Sequence, residues 1–488
     1  MTEQKKQNAT KAFYITTTLP YVNAEPHIGH AMEFIRADII ARYKKLMGFD
    51  VFFNTGTDEH GLKVFKKSEE EGVDIKNYVD KYAQKFKNLL KLLNISKDIH
   101  FVRTTDAHHK SAAQHFWELC DKSGDIYKKN YKIKYCVSCE LEKTESELEN
   151  GRCAIHPHAS LEIIEEENYF FKFSKYQSKL LDFYKNNPGF VVPNFRFNEI
   201  KKFVERGLDD FSVSRLKSKM PWGVPVPKDS DHVMYVWFDA LVNYVSTLGW
   251  PESTANYEKY WVNGTPTQYA GKDNLRQQSA MWQAMLVSAG LSNSHNIVIN
   301  GFINMGGEKM SKSLGNVVSP EKLVEEYGPD ALRYFLVKEI SNFEDSDFTL
   351  ERFKEAYNAN LANGLGNLVS RIMKMAEANL EDFKPVFDES ISKNDFYKNS
   401  FESFKIQEAV EHIWASIKSL DQEIQHKEPF KLVKTNKEEG VEVIKSMVAK
   451  LFSIAEMLEP VLPETSEKIK FLIKENKSPN IPLFPRKD

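Results

Sequence analysis

The N-terminal part of the sequence constrains the fold most, because β-type and helical patterns alternate there. Residues 13–18 are a short run of β-forming side chains, residues 28–47 have a helical pattern closed by Gly48, and residues 51–55 are a second apolar run. A strand, a long helix and a second strand in this order predict the start of a parallel α/β sheet. Sheets of this kind bind ligands beyond the carboxyl ends of their strands.

Changes of pattern divide the rest of the chain. From Gly124 to Pro227, short β-like pieces, prolines and aromatic residues replace the α/β alternation, which indicates an insertion. β-type runs return at residues 235–238 and 297–300, and most of the chain after Tyr327 is helical. We therefore predict an α/β domain in two halves (1–123 and 233–304), an insertion (124–232), a connecting segment (305–354) and an all-helical region (355–488).

The composition excludes several classes of protein. Hydrophobic residues make up 41% and charged residues 28% of the 488 residues, which is typical of a globular protein and not of a disordered or fibrous chain. No run approaches the ~18 apolar residues of a membrane span, and residues 1–11 lack the apolar core of a signal peptide. Four cysteines do not make a disulfide framework, so we expect a reduced, cytoplasmic protein without a membrane partner. The formal charge of −3 neither requires nor excludes a nucleic-acid partner.

Pro26-His27-Ile28-Gly29-His30 stands between the first predicted strand and the first long helix. A helix N-terminus offers unpaired N–H groups and a partial positive charge to a phosphate. His27 and His30 are three residues apart and can both donate to a phosphoryl oxygen, and Gly29 lets a nucleotide approach the backbone. Alone, the motif fits a helix start with two surface histidines equally well.

A second phosphate-type element occurs far along the chain, at Lys309-Met310-Ser311-Lys312-Ser313. Flanking glycines predict a loop, and its two lysines and two serines are a compact set of donors for a polyphosphate. A solvated basic loop is the alternative for this segment by itself. Two phosphate-type elements in one split α/β domain favour a shared nucleoside triphosphate site.

Four residues have the spacing of a zinc site. Cys136 and Cys139 form one pair, and Cys153 and His156 form another with the same spacing, so both pairs can reach one tetrahedral ion. Four protein ligands leave no open position, which predicts one structural Zn²⁺. His158 is the alternative to His156, and reduced thiols on a loop are the alternative to the whole site. The remaining cysteine is predicted to be a buried helix thiol.

The sequence resembles the methionyl-tRNA synthetases, a family of class I aminoacyl-tRNA synthetases. The histidine motif and the lysine loop look like the two class I signatures. Four further blocks match the family in its order: residues 18–21 (TLPY), 56–61 (GTDEHG), 235–240 (YVWFDA) and 271–273 (GKD). The resemblance covers essentially the whole chain. It implies a Rossmann-like catalytic domain split by a zinc-binding insertion, a lysine-loop and stem-contact segment, and a helical anticodon-binding bundle.

The implied activity is that of a ligase. L-Methionine is activated by ATP to methionyl-adenylate and transferred to the 3′ end of tRNA(Met), including the initiator tRNA, and Mg²⁺ accompanies the ATP. This chemistry needs positioning and charge stabilisation rather than covalent help. By resemblance, His27 and His30 act on the α-phosphate side, while Lys309 and Lys312 hold the leaving pyrophosphate. The other implied ATP contacts are Gly29, Glu33, Gly271 and Asp273.

The resemblance also implies a methionine pocket, in which apolar and polarizable side chains surround the thioether. Asp58 would hold the ammonium group, and the implied lining residues are Leu19, Tyr21, Trp237, Ala240, Tyr244, Gln278 and Trp282. Without the block matches, the aromatic members read as ordinary core residues. Gln278 stands where the family often has a histidine, and Leu241 where some members have proline. Arg215 matches a family arginine near the substrate, and a surface arginine is an equal reading.

The helical region carries the implied tRNA contacts. Asn360, Asn363, Asn367 and Arg371 share one helix face opposite a leucine-rich stripe, which fits either base recognition or a solvated surface. By resemblance, Asn367 and Arg371 read anticodon bases. Phe430 stands in place of the family's base-stacking tryptophan. Because the sequence ends without the further tRNA-binding domain that some members use to dimerise, we expect a monomer.

Three alternatives fit parts of the pattern. One is a class I synthetase for leucine, isoleucine, valine or cysteine, although the long editing insert of the first three is absent. The second is a small-molecule nucleotidyltransferase, which does not need the helical C-terminal third. The last is a non-catalytic tRNA-binding module, which does not need the histidine motif or the lysines.

Overall fold

A six-stranded parallel sheet forms the centre of the molecule. The computed structural model describes residues 11–138, 141–143, 148–309, 318–380 and 394–488. The first elements alternate strand and helix: β1 (Ala12–Thr17), α1 (Ile28–Leu46), β2 (Asp50–Thr57), α2 (Leu62–Glu71), α3 (Ile75–Leu92), β3 (His100–Arg103) and α4 (Ala107–Lys122). β1 pairs in parallel with β2, and β2 with β3, so the predicted α/β start is confirmed.

At two positions in these elements the backbone requires glycine. Gly48 follows α1 with a φ of +81°, a left-handed conformation that glycine adopts without strain and that stops the helix. Gly56 lies in β2 against the neighbouring strand. A Cβ atom there would be 1.8 Å from the carbonyl oxygen of Val102, so only glycine lets β2 and β3 pair at this point.

The predicted insertion is mostly antiparallel. Its elements are β4 (Ile126–Cys136), β5 (Leu141–Lys143), β6 (Leu148–Glu149), β7 (Arg152–Cys153), β8 (Leu161–Phe171), α5 (Gln177–Asn186), β9 (Val191–Val192), α6 (Asn194–Glu205), β10 (Phe211–Ser212), β11 (Ser214–Leu216), β12 (Pro225–Val226) and β13 (Asp229–Met234). β4 and β8 form a long ribbon within a sheet of order β10-β8-β4-β5. Cys136, one of the predicted ligands, is the last residue of β4 and lies at the far end of this ribbon from the point where it leaves the α/β domain.

The chain then returns to the central sheet. The next elements are α7 (Val236–Leu241), α8 (Asn243–Ser246), β14 (Thr265–Gly271), α9 (Trp282–Ser288), β15 (Asn296–Asn300), β16 (Ile303–Met305) and β17 (Glu308–Lys309). The central sheet has the order β3-β2-β1-β14-β15-β9, and its neighbouring strands are parallel. β9, within the predicted insertion, therefore supplies one edge of the main sheet.

The prediction of β structure at residues 235–238 was wrong. Strand β13 ends at Met234, Tyr235 is still extended, and helix α7 begins at Val236. A short buried apolar run has the same composition in a strand and in a buried helix, so its pattern does not distinguish them.

The C-terminal part is helical, as predicted. Its elements are α10 (Pro320–Tyr327), α11 (Pro329–Lys338), the short strand β18 (Ser346–Phe348), α12 (Leu350–Ala356), α13 (Asn367–Asn379), α14 (Asp395–Glu402), α15 (Ile406–Lys427), α16 (Pro429–Thr435), α17 (Lys437–Leu458) and α18 (Pro463–Lys474). A π-helical segment, Tyr357–Gly366, joins α12 to α13. The leucine-rich stripe of these two segments is fully buried, with Leu361, Leu365, Leu368 and Ile372 at most 1% exposed. In the part of the chain that the structure describes, no helix is long and apolar enough to span a membrane.

Two buried arginines fasten α1 to the C-terminal half. Arg36 donates to the side-chain oxygen of Asn300 at 3.0 Å and to four carbonyl oxygens at the end of α11: Leu336, Ile340, Ser341 and Asn342. Arg333, in α11, donates to Asp38 of α1 at 2.8 Å and to the carbonyl oxygen of Val461 before α18. Guanidinium groups with several hydrogen-bond partners stabilise such a junction, and loss of these partners would leave a buried, uncompensated charge.

Candidate active site

A cleft of about 420 Å³ opens at the carboxyl end of the central sheet. Four neighbouring strands end at its wall, because Asp58 follows β2, Thr18 follows β1, Gly271 ends β14 and Asn300 ends β15. The start of α1 and one side of α7 supply the remaining walls. The cleft is therefore at the position where parallel sheets bind their ligands.

Most of the predicted site residues line this one cleft: Leu19, Tyr21, His27, Gly29, His30, Glu33, Asp58, Trp237, Ala240, Tyr244, Gly271, Asp273 and Gln278. Trp282 is placed differently. Its fully buried ring packs against that of Tyr244, with centroids 5.9 Å apart, and it does not reach the cleft surface. Trp282 thus supports the pocket from behind.

His27 and His30 together form the N-terminal cap of helix α1. Nδ1 of His27 accepts the backbone N–H of Gly29 at 3.1 Å, and Nδ1 of His30 accepts the backbone N–H of His27 at 3.2 Å. A backbone N–H can only donate, so in both rings the proton of the neutral imidazole is on Nε2. Burial and the neighbouring His27 lower the pKa of His30 well below its usual value, so this ring is neutral at pH 7. The pair presents two Nε2–H donors at a helix N-terminus.

Glu33, one turn further along α1, connects the helix to β1. Its Oε1 accepts the backbone N–H of Thr18 at 2.7 Å and the Thr18 hydroxyl at 2.5 Å. Burial raises the pKa of Glu33 to about 8, against the two bonds from Thr18, and the charge of Asp273 raises it further. The carboxyl group is therefore mostly protonated at neutral pH, which removes a negative charge from the wall of the cleft near the start of α1.

Apolar and aromatic side chains and the carboxylate of Asp58 also line the cleft. The backbone N–H of Asp58 donates to the carbonyl oxygen of Pro20 at 2.9 Å, and the N–H of Val22 donates to the carbonyl oxygen of Asp58 at 3.1 Å. These bonds hold Asp58 beside Tyr21, and Trp237 of α7 lines the same cleft. An anionic group next to aromatic and aliphatic side chains suits an amino acid with an apolar side chain.

Two side-chain contacts that the sequence analysis missed connect the walls of the cleft to each other and to the rest of the fold. Nδ1 of His60 lies 2.6 Å from Oδ2 of Asp239, which joins the loop carrying Asp58 to α7. Lys272 pairs with Asp345 at 2.6 Å and so fixes the turn after β14. The partners are 179 and 73 positions apart in the chain, so no local pattern indicates them.

The lysine segment is described only at its start. Lys312 lies outside the described residues, and only the backbone of Lys309 is described. In β17, Lys309 pairs with Asn304 of β16, and β16 begins at Ile303, which lines the cleft. The chain therefore enters the lysine segment from the wall of the cleft.

Known proteins share this fold and sequence. A model of the family described as tRNA synthetases class I (M) matches residues 13–146 and 140–373. The methionine–tRNA ligase of Thermotoga maritima is 40% identical over 472 residues, which cover 94% of this chain and 74% of that protein. The methionine–tRNA ligase of Brucella suis is 38% identical over 471 residues, covering 94% of this chain and 90% of the relative. The chain belongs to the methionyl-tRNA synthetase family.

A solved member of the family superposes along the whole molecule. The structure of Mycobacterium tuberculosis methionyl-tRNA synthetase in complex with methionyl-adenylate matches with a TM-score of 0.89 and 35% identity, over 98% of this chain and 100% of that chain. The resemblance inferred from the sequence blocks is thereby confirmed, together with the α/β fold and its helical C-terminal region.

This family member brings together three of the four predicted metal ligands. The Sγ atoms of Cys136 and Cys153 and a ring nitrogen of His156 all lie within 4.8 Å of one another, and both cysteines are buried. His158 is not a member of this group, whereas Cys139 lies outside the described residues. Two thiols and an imidazole at this separation fit the coordination sphere of one metal ion. Cys120 is a fully buried helix thiol, as predicted, and burial raises its pKa to about 12.

Arg215 is buried, so the reading as a surface arginine was wrong. It donates to the hydroxyl of Ser212 and to the carbonyl oxygen of Ser214, both at 2.7 Å, and its guanidinium carbon lies 4.4 Å from the ring centroid of Tyr235. Val236, the next residue, lines the cleft. Arg215 thus lies directly behind the cleft wall.

The predicted anticodon residues lie on the surface of the helical region. Asn367 is exposed, and the partly exposed Arg371 pairs with Asp421 of α15 at 2.5 Å. Phe430 is the second residue of α16, which begins at Pro429 shortly after the end of α15, and it is 44% exposed. Helix α15 therefore connects the residue that Arg371 contacts to the exposed ring.

Proposed function

We propose that the protein is a methionine–tRNA ligase, which activates L-methionine with ATP and transfers it to tRNA(Met), including the initiator tRNA. The observation that carries this proposal is that one cleft is lined both by a helix start with two histidines, which suits a phosphate, and by apolar and aromatic side chains together with the carboxylate of Asp58. A nucleotide site alone would need only the first group of residues. The second group would supply recognition of an amino acid, which an adenylate-forming enzyme requires.

Activation would join the two substrates. The methionine carboxylate attacks the α-phosphorus of ATP in line with the departing pyrophosphate, so negative charge builds on the phosphate oxygens. The Nε2–H groups of His27 and His30 and the N-terminus of α1 would stabilise that charge. Lys309 and Lys312 would hold the pyrophosphate, and the Mg²⁺ that accompanies ATP would share this charge.

The remaining contacts divide between the two substrates. Gly29 would leave room for ATP at the helix start, and Glu33, Gly271 and Asp273, which line the same cleft, would contact the nucleotide. Asp58 would pair with the ammonium group of methionine. The thioether side chain would lie among the apolar lining residues, which are Leu19, Tyr21, Trp237, Ala240 and Tyr244.

The metal group of the insertion would hold one structural Zn²⁺. Cys136, Cys153 and His156 supply three ligands, and Cys139 would complete the four-coordinate sphere. A closed sphere has no position for substrate, so the ion would stabilise the fold of the insertion rather than take part in the reaction.

Transfer of methionine requires tRNA to reach both ends of the molecule. We place the anticodon against Asn367, Arg371 and Phe430, where polar side chains can read base edges and the exposed ring can stack on a base. The enzyme would act as a monomer in the cytoplasm, where its tRNA substrate is used.

ATP–pyrophosphate exchange with each of the twenty amino acids tests the proposal. We expect methionine alone to stimulate exchange. Stimulation by leucine, isoleucine, valine or cysteine would assign another substrate, and exchange without any amino acid would favour a nucleotidyltransferase. Binding of tRNA without exchange would favour a non-catalytic module.

Lys312→Ala tests the role of the lysine segment. It should lower the turnover of exchange while leaving methionine affinity nearly unchanged, because in the proposed mechanism the lysine would contact only the leaving group. Lys322→Ala, an exposed lysine in the helix that follows, is the matched control and should keep wild-type turnover. Unchanged turnover in Lys312→Ala would remove this lysine from the mechanism.

A further inference from the structure

A buried hydrogen-bond chain runs from behind the cleft to the hydroxyl of Tyr244. Nε2 of Gln283 donates to Oγ of Ser294 at 3.1 Å, and this hydroxyl donates to Oε1 of Gln268 at 2.7 Å. Nε2 of Gln268 donates to Oε1 of Gln278 at 3.0 Å, and Nε2 of Gln278 donates to the Tyr244 hydroxyl at 2.6 Å. All five side chains are buried, and only the last two line the cleft.

The direction of the chain is fixed at its first member. Oε1 of Gln283 accepts the backbone N–H of Ser294 at 3.0 Å, and Nε2 of Gln283 donates to the backbone carbonyl oxygen of Gln278 at 2.8 Å. A backbone N–H can only donate and a carbonyl oxygen can only accept, so the Gln283 amide has one orientation. Each following group then takes its role from the group before it, and Tyr244 receives the last bond as an acceptor.

Tyr244 therefore keeps its own hydrogen for the cleft. Among the residues that the structure describes, none accepts a hydrogen bond from the Tyr244 hydroxyl. Burial raises the pKa of this hydroxyl, so it remains a donor throughout the neutral range. A buried donor without an acceptor favours a ligand that supplies one.

We propose that Gln268, Ser294 and Gln283 are positioning residues that aim the Tyr244 hydroxyl hydrogen at an acceptor atom in the substrate side chain. They thereby favour a thioether over a hydrocarbon of the same shape. The inference rests on the proposed function, because the acceptor is then the sulfur of methionine. Sulfur is a weak acceptor, whereas the methylene group that replaces it in norleucine accepts no hydrogen bond.

The position of the chain separates this role from direct contact. Gln268 is in the middle of β14, Ser294 precedes β15, and neither lines the cleft. They can act on the substrate only through Gln278 and Tyr244. A role limited to packing would change the stability of the protein without changing its choice between two substrates of equal shape.

The test compares kcat/KM for methionine and norleucine in ATP–pyrophosphate exchange. Gln268→Leu removes the link between Ser294 and Gln278 without touching the cleft. We expect the ratio of the two kcat/KM values to fall roughly three- to tenfold, through methionine alone, with KM for ATP and the norleucine value unchanged. Gln277→Leu is the matched control, because Gln277 is a buried glutamine beside Gln278 that takes no part in the chain, and it should keep the ratio.

Two results would overturn the proposal: an unchanged ratio in Gln268→Leu, or an equal fall in Gln277→Leu. If Gln268→Leu does not fold, Ser294→Ala breaks the same chain with a smaller change. An unchanged ratio in Ser294→Ala, or an equal fall in Gln277→Leu, would then overturn the proposal. The wild-type protein separates this inference from the proposed function. Loss of methionine-dependent exchange in the wild type would overturn the function, whereas exchange with an unaltered ratio in the variants would overturn only the positioning role.

Discussion

His27 and His30 stack their imidazole rings with centroids 3.8 Å apart and planes 27° from parallel. The same pair closes the first turn of α1, since each ring accepts a backbone N–H at Nδ1. The bonds that cap the helix are thus the bonds that select the tautomer. The capping role of these residues and the phosphate-binding role that we propose for them therefore depend on each other.

Replacing His30 by asparagine in one variant and by glutamine in another tests this tautomer. The side-chain nitrogen of glutamine reaches about as far as Nε2, whereas that of asparagine reaches only about as far as Nδ1. We expect His30→Asn to lower kcat for methionine-dependent exchange by about 10²–10³-fold, and His30→Gln to lower it less. Steady-state kinetics of both variants provide the measurement. An equal loss, or a larger loss in His30→Gln, would contradict donation from Nε2.

Glu33 should make the stability of the protein depend on pH. Its pKa is about 8 in the folded protein and has an ordinary value of 4.5, so between these values the folded state binds more protons than the unfolded chain. Its contribution to stability is complete below about pH 4.5 and is lost as the pH rises through about 8. Glu33→Gln keeps an oxygen for Thr18 and has no charge to gain. The melting temperature of the wild type should fall relative to this variant between pH 6 and 9, and parallel curves would refute the shift.

The amount of bound metal should depend on the group of Cys136, Cys153 and His156 and not on cysteines elsewhere in the chain. We expect about one Zn²⁺ per chain by elemental analysis, and loss of that ion in Cys153→Ala. Cys120→Ala is the matched control, because Cys120 is equally buried but outside the group, and it should retain the ion. His156→Ala should lose the metal while His158→Ala keeps it. The reverse result for the two histidines would transfer the fourth ligand to His158.

Phe430 should affect tRNA and not amino acid activation. Phe430→Ala removes an exposed ring that we place under an anticodon base, a contact worth about 1–3 kcal/mol. We expect a higher KM for tRNA(Met) in aminoacylation with unchanged ATP–pyrophosphate exchange, and recovery of tRNA affinity in Phe430→Trp. Phe471 of α18 is 60% exposed, and Phe471→Ala serves as the control for removal of an exposed ring. A similar KM for tRNA in both alanine variants would contradict the assignment.

The sequence predicted features that are local in the chain. Helix α1, its start at the histidine motif and the stripe of Leu361 and Leu365 follow from patterns within a few turns, and the structure confirms them. Because the cleft residues match family blocks in order, most of the cleft could also be predicted without knowing how the blocks meet in space.

Contacts between distant parts of the chain could not be predicted. The pair of His60 with Asp239, and the relay from Gln283 to Tyr244, join residues whose proximity only the folded sheet creates. Trp282 illustrates the same limit. The family resemblance placed Trp282 in the lining of the pocket. Only the packing of the folded chain shows that its ring lies behind Tyr244 and not at the cleft surface.

The spacing of residues along helix α1 is constrained at both ends. His27 caps the helix at the proposed phosphate site, and Arg36 of the same helix donates to carbonyl oxygens of the C-terminal half. Inserting a single residue between Glu33 and Arg36 would turn everything beyond it by about 100°, and the guanidinium would leave its carbonyl partners. This stretch can therefore exchange side chains in evolution but cannot change its length.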